Sequence, residues 1–380
     1  MASDGFGRVR SIDSLRGFAA LVVVIWHYQF YLGQTIFEPM FFAFYRNGQI
    51  AVDVFFVISG FILSYVYLNT IHSYKDFRRY VKKRIARMYP LHLLTLFATV
   101  AIFMGFLAKD GHFSYVYGNN DAVHFFLNLM LMQSIGTENG FSFNGPAWSI
   151  STEFWVNIFF GLMLLCGFRS TLYAAVVAVG SAALLLYSSP TWSGGPDLWG
   201  WVDSNLLRTI AGFYAGVLTF KVWRTFTSKK SWHGNLMILA GLAGIFFVMT
   251  LPRDAYSTRF FEAGATFLAS PLLVLGCTKS RLAYLLGESR FGTWIGNISF
   301  SIYLWHFPVA ALIMLVGAQN FLSDATLFAV YMTSVLTIST YCFRYVEAPA
   351  RDAVTNFTFA RPIRVSKVAA ATSDASGDGN

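Results

Sequence analysis

Hydrophobic residues in this chain occur in long unbroken runs and not in the alternating pattern of a half-buried strand. A run of about 20 apolar residues is the length that an α-helix needs to cross a membrane, and alternating barrel strands would not produce it. The pattern therefore predicts an all-α polytopic membrane protein with ten transmembrane helices, their ends defined to within a few residues. The predicted spans are 17–33, 50–69, 88–107, 146–167, 171–187, 205–223, 235–251, 259–277, 295–317 and 325–346.

The distribution of basic residues supports this count. An even number of spans puts both termini on one side, which then carries 23 of the 28 lysines and arginines, against 5 on the other. Such a bias is expected when the termini are cytoplasmic. The apolar segment 122–135 has only 14 residues and is predicted to be re-entrant or interfacial, because a crossing there would change the distribution to 13 against 15. We expect a multi-pass protein of the inner (cytoplasmic) membrane with both termini in the cytoplasm.

Composition narrows the class further. Charged residues make up only 12% of the chain, against about 25% in soluble domains, and topology explains the net charge of +9 better than nucleic-acid binding does. The three cysteines lie in apolar segments, so no disulfide framework is indicated, and the N-terminus shows no signal-peptide pattern. We expect one membrane domain over residues 1–365 and a disordered cytoplasmic tail over 366–380, which is rich in alanine, serine, aspartate and glycine.

The first predicted span carries two ionisable residues on one face. Arg16 stands at its start, and His27 follows eleven residues later. At about 100° and 1.5 Å per residue, the two side chains point within about 20° of each other and lie about 16 Å apart along the axis. We expect Arg16 near the cytoplasmic surface and His27 near the bilayer centre, both facing one water-accessible tunnel. Ionisable groups at such depth are costly and indicate function, so this pair is the first candidate for chemistry.

A basic segment precedes the third predicted span. Residues 75–83 are typical of a topology signal that also binds anionic lipid headgroups. Arg84 and Arg87 are three residues apart, which puts two guanidinium groups on one helix face. Such a pair suits bidentate binding of phosphate oxygens. The spacing alone leaves two interpretations open: a topology signal, or a site for a phosphorylated cytosolic ligand.

Two further spans carry polar groups within their first turns. Asp53 lies about one turn inside the second span, where it could serve as a cap, an ion-pair partner or a site residue. The small pair Ser59-Gly60 is more typical of helix packing. Ser149 and Glu153 share a face of the fourth span, and a carboxylate at that depth must face the bundle interior or a wet cavity. A buried ion pair is the structural alternative for Glu153, and binding of a polyol is the functional one.

The ninth span contains Tyr303 and His306, which are three residues apart and share a face. A single intramembrane histidine is often satisfied by a neighbour and inert, but a second one besides His27 favours a function. Pro308 is expected to kink the helix next to His306. Glu347, at the end of the last span, is predicted to be structural and to pair with a loop arginine. We predict no metal site, because the two histidines lack acidic or cysteine ligands at a standard spacing.

Five motifs in this order resemble the acyltransferase 3 family, and together they cover residues 9–350. They are Ser11-x-Asp13-x-x-Arg16-Gly17 with His27, Val52-Asp53-x-Phe-Phe-x-x-Ser59-Gly60-Phe, Arg84-x-x-Arg87-x-x-Pro90, Trp148-Ser149-x-Ser-x-Glu153, and Tyr303-Leu-x-His306. The resemblance implies a ten-helix membrane enzyme that moves an acyl group, commonly acetyl from acetyl-CoA, onto a sugar hydroxyl. Typical acceptors are exopolysaccharide, lipopolysaccharide O-antigen and other surface glycans. Many relatives carry an added SGNH hydrolase domain, which this chain lacks, so we expect the membrane domain to complete the transfer itself or with polysaccharide-assembly proteins.

The resemblance also suggests a role for each candidate residue. Arg84 and Arg87 would hold the phosphates of acetyl-CoA or another acyl-CoA, with Arg16 orienting the donor. His27 would act as general base or acyl carrier. Arg16, His27 and Glu153 form the predicted catalytic set. The predicted acceptor-binding residues are Asp53, Ser59, Trp148, Ser149, Tyr303 and His306. A transporter or flippase of a lipid-linked glycan is the alternative, since it too needs intramembrane polar groups but has no use for the Arg84 and Arg87 pair.

Overall fold

The computed structural model describes residues 10–33, 35–114, 116–138, 140–192, 202–226, 230–253 and 256–356. Regular structure in these ranges is helical throughout, and no β-strand forms there. The α-helices are α1 (Arg10–Leu32), α2 (Glu38–Asn47), α3 (Ala51–Tyr67), α4 (Tyr74–Asp110), α5 (Ala122–Leu129), α6 (Trp148–Leu165), α7 (Thr171–Ser188), α8 (Ser204–Thr225), α9 (Ser231–Thr250), α10 (Thr258–Gly264), α11 (Ser270–Lys279), α12 (Arg281–Glu288), α13 (Arg290–Val316), α14 (Asp324–Cys342) and α15 (Ala348–Asn356). The predicted tail 366–380, with its boundary at residue 365, lies outside the described residues.

The predicted fold class is confirmed, whereas the count of ten spans is not. Among the described residues, nine helical stretches are long and apolar enough to cross a membrane, and each coincides with a predicted span. The remaining predicted span, 205–223, forms helix α8, which is not one of the nine. This helix is 22 residues long and contains Arg208, Lys221 and Arg224. It packs along α3 and α7 in the bundle.

Two regions differ from a simple series of spans. Helix α4 begins at Tyr74, not at residue 88, so the basic segment is itself helical and α4 reaches 37 residues. Ser73 caps its start by accepting a hydrogen bond from the backbone N–H of Asp76 at 3.2 Å. The 14-residue apolar segment forms only the eight-residue helix α5 before the chain turns. The expectation that this segment does not cross as a helix is therefore consistent with the structure.

Close backbone contact between helices fixes the bundle around the candidate site. A Cβ atom at Gly60 would overlap the carbonyl oxygen of Phe213, and one at Gly216 would overlap that of Val57. Only glycine permits α3 and α8 to approach this closely, so the packing role predicted for Gly60 is confirmed. Gly17 allows the same between α1 and α13, since a Cβ there would lie 2.7 Å from the carbonyl oxygen of Ile295.

Pro308 lies within α13, which continues as one helix from Arg290 to Val316. A proline has no N–H, so the carbonyl of Leu304, four residues earlier, loses its usual helical donor. The side chain of Asn144 replaces that donor, with its Nδ2 atom 3.0 Å from the Leu304 oxygen. Both the side chain of Asn144 and the carbonyl of Leu304 are buried, so this bond satisfies a group that water cannot reach. The loop before α6 is thereby anchored to the middle of α13.

Candidate functional site

A cavity of about 350 Å³ opens within the half of the bundle where α1 and α4 begin. We call it the arginine cavity, because Arg16, Arg84 and Arg87 line it. Its other charged or hydroxyl-bearing walls include Asp13, Ser59, Ser149 and Glu153. The structure thus brings together the three arginines predicted to bind the donor, although they come from two helices far apart in sequence.

The three arginines have different electrostatic surroundings. Arg16 lies 3.5 Å from Asp13. Arg87 forms an ion pair with Glu347, whose carboxylate is 1% exposed and accepts a second bond from Ser301 at 3.2 Å. The predicted pairing of Glu347 with an arginine is therefore confirmed. It also means that Arg87 is already largely neutralised, because a buried carboxylate occupies one side of its guanidinium group.

Arg84 has no ion pair within the described part of the chain. Its guanidinium carbon lies 5.9 Å from the ring centroids of both Tyr67 and Tyr80. Cation–π contacts of this kind orient the group but leave its charge available to an anion. Arg84 is therefore the best-placed of the three for binding phosphate.

Glu153 and Ser59 form a hydrogen-bonded pair in the arginine cavity. The hydroxyl of Ser59 donates to Oε1 of Glu153 at 2.6 Å. Ser149, one turn before Glu153 on α6, lines the same cavity. The prediction that Ser59 and Ser149 bind the acceptor, and that Glu153 is catalytic together with His27, is not supported by this placement. Ser59, Ser149 and Glu153 lie on the side of the arginines, because α6 enters the bundle at Trp148 and its second turn already faces that cavity.

A second cavity, of about 110 Å³, lies toward the opposite end of the bundle. We call it the histidine cavity. It is lined by residues from seven parts of the chain, chiefly Trp26, His27, Gln49, Trp148, Arg208 and Arg253. His27 follows the midpoint of α1 by six residues, so it lies in the second half of the helix and not at its centre, because α1 begins at Arg10 instead of 17.

The hydrogen bonds of His27 define which nitrogen is available for chemistry. Its Nδ1 lies 3.0 Å from the carbonyl oxygen of Val23, which can only accept. Nδ1 therefore carries the proton, and Nε2 keeps its lone pair. His306 repeats this arrangement, with Nδ1 2.6 Å from the Tyr303 carbonyl and a buried Nε2 that has no partner among the described residues. The two imidazole rings lie 4.7 Å apart, between centroids.

One layer of side chains separates the two cavities. Val52 and Tyr303 line both of them. The Tyr303 hydroxyl donates to the Pro146 carbonyl at 3.0 Å and accepts from Ser149 at 2.6 Å, which fixes the ring across the gap. Arg16 and His27 therefore line two different cavities and not the one continuous tunnel that was expected. The two residues share a face of α1, and Val52 of α3 and Tyr303 of α13 lie where the two cavities meet.

Asp53 is occupied by a buried ion pair and lines neither cavity. Nε and Nη2 of Arg208 lie 3.1 and 2.6 Å from its two carboxylate oxygens, and the indole nitrogen of Trp192 donates to it at 3.0 Å. The acceptor-binding role predicted for Asp53 is therefore not supported by its contacts. The sequence analysis counted Arg208 only as a basic residue of the outer side, although an arginine inside an apolar span is itself a signal.

Among the described residues, no group of three or more histidine, cysteine, aspartate or glutamate side chains comes together as a metal site would require. His27 and His306 neighbour aromatic rings, with Tyr31 stacked on His27 at 5.3 Å between centroids. The chemistry available in the histidine cavity is therefore that of a neutral imidazole in a mainly aromatic environment.

The family model described as an acyltransferase domain matches residues 9–344. The chain belongs to the acyltransferase 3 family. The resemblance drawn from the five motifs is thereby confirmed over nearly the same range. No solved structure gives a significant match.

Three relatives illustrate the family. The peptidoglycan O-acetyltransferase OatA of Listeria monocytogenes is 24% identical, over 90% of this chain and 56% of its own length. The O-acetyltransferase OatA of Staphylococcus aureus is 22% identical over 90% and 57%. The acyltransferase MdmB of Streptomyces mycarofaciens is 28% identical over 80% and 79%. The chain spans about half the length of the peptidoglycan O-acetyltransferases that it matches.

Proposed function

We propose that this protein is a membrane-embedded O-acyltransferase. It moves an acyl group, which we propose to be acetyl, from a cytosolic acyl-CoA to a hydroxyl of a surface glycan. The proposal places it in the cytoplasmic membrane, with the arginine cavity toward the cytoplasm and the histidine cavity toward the opposite side. The observation that carries it is the meeting of these two cavities at a wall one side chain thick. A cationic site and a neutral imidazole on its two sides suit a phosphate-rich donor and a sugar acceptor.

On the donor side, Arg84 and Arg16 are assigned to the phosphates of coenzyme A. Among the described residues, Arg84 has no ion pair, and the ion pair of Arg16 is the 3.5 Å contact with Asp13. Arg87 is assigned a smaller share, because Glu347 already holds it. Glu153, with Ser59, is assigned to the thioester end of the donor instead of to the sugar, since both residues line the donor cavity.

On the acceptor side, Nε2 of His27 is assigned as the general base. The acceptor hydroxyl oxygen attacks the thioester carbonyl carbon, its proton passes to Nε2, the carbon–sulfur bond breaks, and the proton returns to the leaving thiolate. If Nε2 instead attacks first, the carbon–sulfur bond breaks and the acyl group resides on the imidazole. The acceptor hydroxyl oxygen then attacks that acyl carbon, the bond to Nε2 breaks, and the hydroxyl proton passes by way of Nε2 to the thiolate. Both routes need the hydrogen bond from Nδ1 to Val23, because it fixes the tautomer that leaves Nε2 unprotonated.

The route from thioester to imidazole passes Tyr303. Its two hydrogen bonds, to Pro146 and from Ser149, hold the ring between the cavities. Transfer therefore requires this ring to turn aside when the donor is bound. A closed wall in the absence of donor would also limit entry of water to the thioester.

Binding of coenzyme A to the purified protein tests the proposal. We expect Arg84→Gln to weaken binding by about tenfold, the effect of removing one charge-assisted contact to phosphate. Arg78→Gln is the matched control, because Arg78 is on the same helix and lies near a tyrosine ring, 6.0 Å from Tyr74, but does not line the cavity. Absence of coenzyme A binding in the wild type, or equal losses in the two variants, would contradict the donor assignment and favour a transporter.

A further inference from the structure

The histidine cavity contains polar atoms that no described residue satisfies. The indole Nε1 of Trp26 is a buried donor without an acceptor, and Oε1 of Gln49 is a buried acceptor without a donor. Both residues line the cavity. A buried polar group without a partner carries a substantial free-energy cost, so such atoms in a cavity indicate a ligand that completes them. The ligand must present both a hydroxyl donor and an acceptor.

The charged side chains that line the histidine cavity are all positive. Arg208 and Arg253 line it, and no aspartate or glutamate in the described part of the chain does so. Arg208 is neutralised by Asp53, with which it shares two contacts. Arg253 has no described ion pair, and its guanidinium carbon lies 5.6 Å from the ring centroids of both Trp26 and Phe30. The guanidinium of Arg253, without an ion pair among the described residues, therefore lies beside the indole whose N–H has no described acceptor.

We propose that the histidine cavity binds an acidic saccharide, one whose sugar carries a carboxylate or phosphate, and that Arg253 with Trp26 forms its anion site. This inference rests on the proposed function, because it names the class of acceptor that His27 acylates. A guanidinium and an indole N–H donate together to anionic oxygens. Oε1 of Gln49 accepts from a sugar hydroxyl, and the rings of Trp26 and Trp148 provide apolar faces for the pyranose.

The carboxylate of Glu262 is close enough to the proposed anion site to affect its charge. It lies in electrostatic range of Arg253 and Arg208. Its Oε1 is 3.5 Å from Nε2 of Gln49. Glu262 is buried and does not line the cavity. Nε2 of Gln49 also donates to Oδ1 of Asn47 at 3.2 Å, so the amide nitrogen has partners and Oε1 has none among the described residues. Glu262 forms no described ion pair with Arg253.

Three sugars that differ only at C6 test the proposal: methyl glucoside, methyl glucuronide and methyl glucoside 6-phosphate. Binding to the detergent-purified full chain is measured without acyl-CoA. We expect one or both anionic sugars to bind about tenfold more tightly than the glucoside, the scale of one charge-assisted contact. Arg253→Gln should abolish that preference, and Arg253→Lys should retain most of it. Trp26→Phe, which keeps a ring under Arg253, should weaken binding of the anionic sugars by about threefold.

Arg46→Gln is the matched control, because Arg46 also lies over a phenylalanine ring, 5.1 Å from the centroid of Phe42, but does not line the cavity. Equal affinity for the three sugars, or equal losses for neutral and anionic sugars in Arg253→Gln, would overturn the acidic-acceptor inference. Transfer assays with acetyl-CoA separate this from the proposed function. Selective binding of the anionic sugars without any acetyl transfer would overturn the proposed acyltransferase function but not the anion site. Equal transfer to the three sugars would overturn the anion site but not the acyltransferase function.

Discussion

The arginine cavity and the histidine cavity share two wall residues but differ in how their charges are balanced. In the arginine cavity, Asp13 and Glu347 offset two of the three guanidinium groups, and the volume is about 350 Å³. In the histidine cavity, Asp53 neutralises Arg208, Arg253 has no ion pair among the described residues, and the ring of His27 is hydrogen-bonded only to a backbone carbonyl. Both cavities therefore present a guanidinium group to a ligand, and only the histidine cavity adds an imidazole.

The separation itself has a chemical consequence. Val52 and Tyr303 keep the candidate thioester site apart from the imidazole. If the imidazole and water could both reach the thioester, the imidazole would activate the water and the thioester would be hydrolysed. A wall that opens only when both substrates are bound would therefore favour transfer to the acceptor over hydrolysis.

The largest effect is expected at His27. His27→Ala removes the imidazole that lines the histidine cavity, and we expect acyl transfer to fall about 10²- to 10⁴-fold, the range for loss of a general base. Binding of coenzyme A should not change, because the donor site lies across the wall. Transfer is measured with radiolabelled acyl-CoA and binding by titration. Undiminished transfer would remove His27 from the chemistry.

The next largest effect is expected on folding, at Asp53. Asp53→Asn leaves Arg208 buried without its carboxylate, which costs about 3–5 kcal/mol for a pair of this kind. The free energy of unfolding, from denaturant titration in detergent, should fall accordingly. Glu288→Gln is the control, because its pair with Arg10 is 36–46% exposed and contributes about 1 kcal/mol or less. Equal losses in the two variants would contradict a structural role for the Asp53 pair.

A smaller effect is expected at Asn144, which replaces the helical donor missing at Pro308. Asn144→Ala leaves the Leu304 carbonyl without a partner and should cost about 1–3 kcal/mol of stability, with a lower transfer rate as Tyr303 loosens. In a Pro308→Ala background the restored backbone N–H bonds the same carbonyl, so Asn144→Ala should then cost much less. A double-mutant cycle on stability and transfer measures the coupling. Additive losses would show that Asn144 acts elsewhere.

The smallest effect is a pH dependence in the loop that covers the histidine cavity. Burial raises the pKa of Glu138 to about 7, despite the hydrogen bond from Ser142 that opposes the shift. The folded state therefore binds this proton more tightly than the unfolded chain does, whose glutamate pKa is about 4.3. The stability from this proton is complete below about pH 4 and is lost as the pH rises through about 7.

Thermal unfolding between pH 5 and pH 8 measures this effect. Glu138→Gln stays neutral and should remove part of the decline seen in the wild type. Glu38→Gln, a change at an exposed position of α2, should leave the decline intact. Equal changes in stability with pH in the wild type and in Glu138→Gln would contradict the assignment to Glu138.

Much of the site could be predicted from local spacing, and the misses have a common cause. The three-residue spacing of Arg84 and Arg87 predicted a shared face, and both residues do line one cavity. The spacing of Arg16 and His27 also gave the correct face of α1. It could not show that Tyr303, 276 residues after His27 in the chain, would lie between them, because that depends on how α13 packs against α1.

The placement of Asp53 and Glu153 illustrates the same limit. Both are carboxylates in the first turns of apolar spans, and their sequence surroundings are alike. Asp53 faces Arg208 on α8, whereas Glu153 faces a cavity and Ser59. Which partner each meets depends on the close packing of α3 against α8 at Gly60 and Gly216. No periodicity within α3 or α6 encodes that contact.

The apolar runs alone were enough to predict an all-α protein that folds in a membrane, because a 20-residue apolar run can satisfy its backbone groups within a bilayer only as a helix. The sequence also determined which face of each helix carries the polar groups. The tertiary structure alone decided which polar groups meet, which are neutralised, and that two cavities exist where one tunnel was expected. Those outcomes depend on side chains from helices distant in sequence packing into the same space, and a single layer of them is enough to divide it.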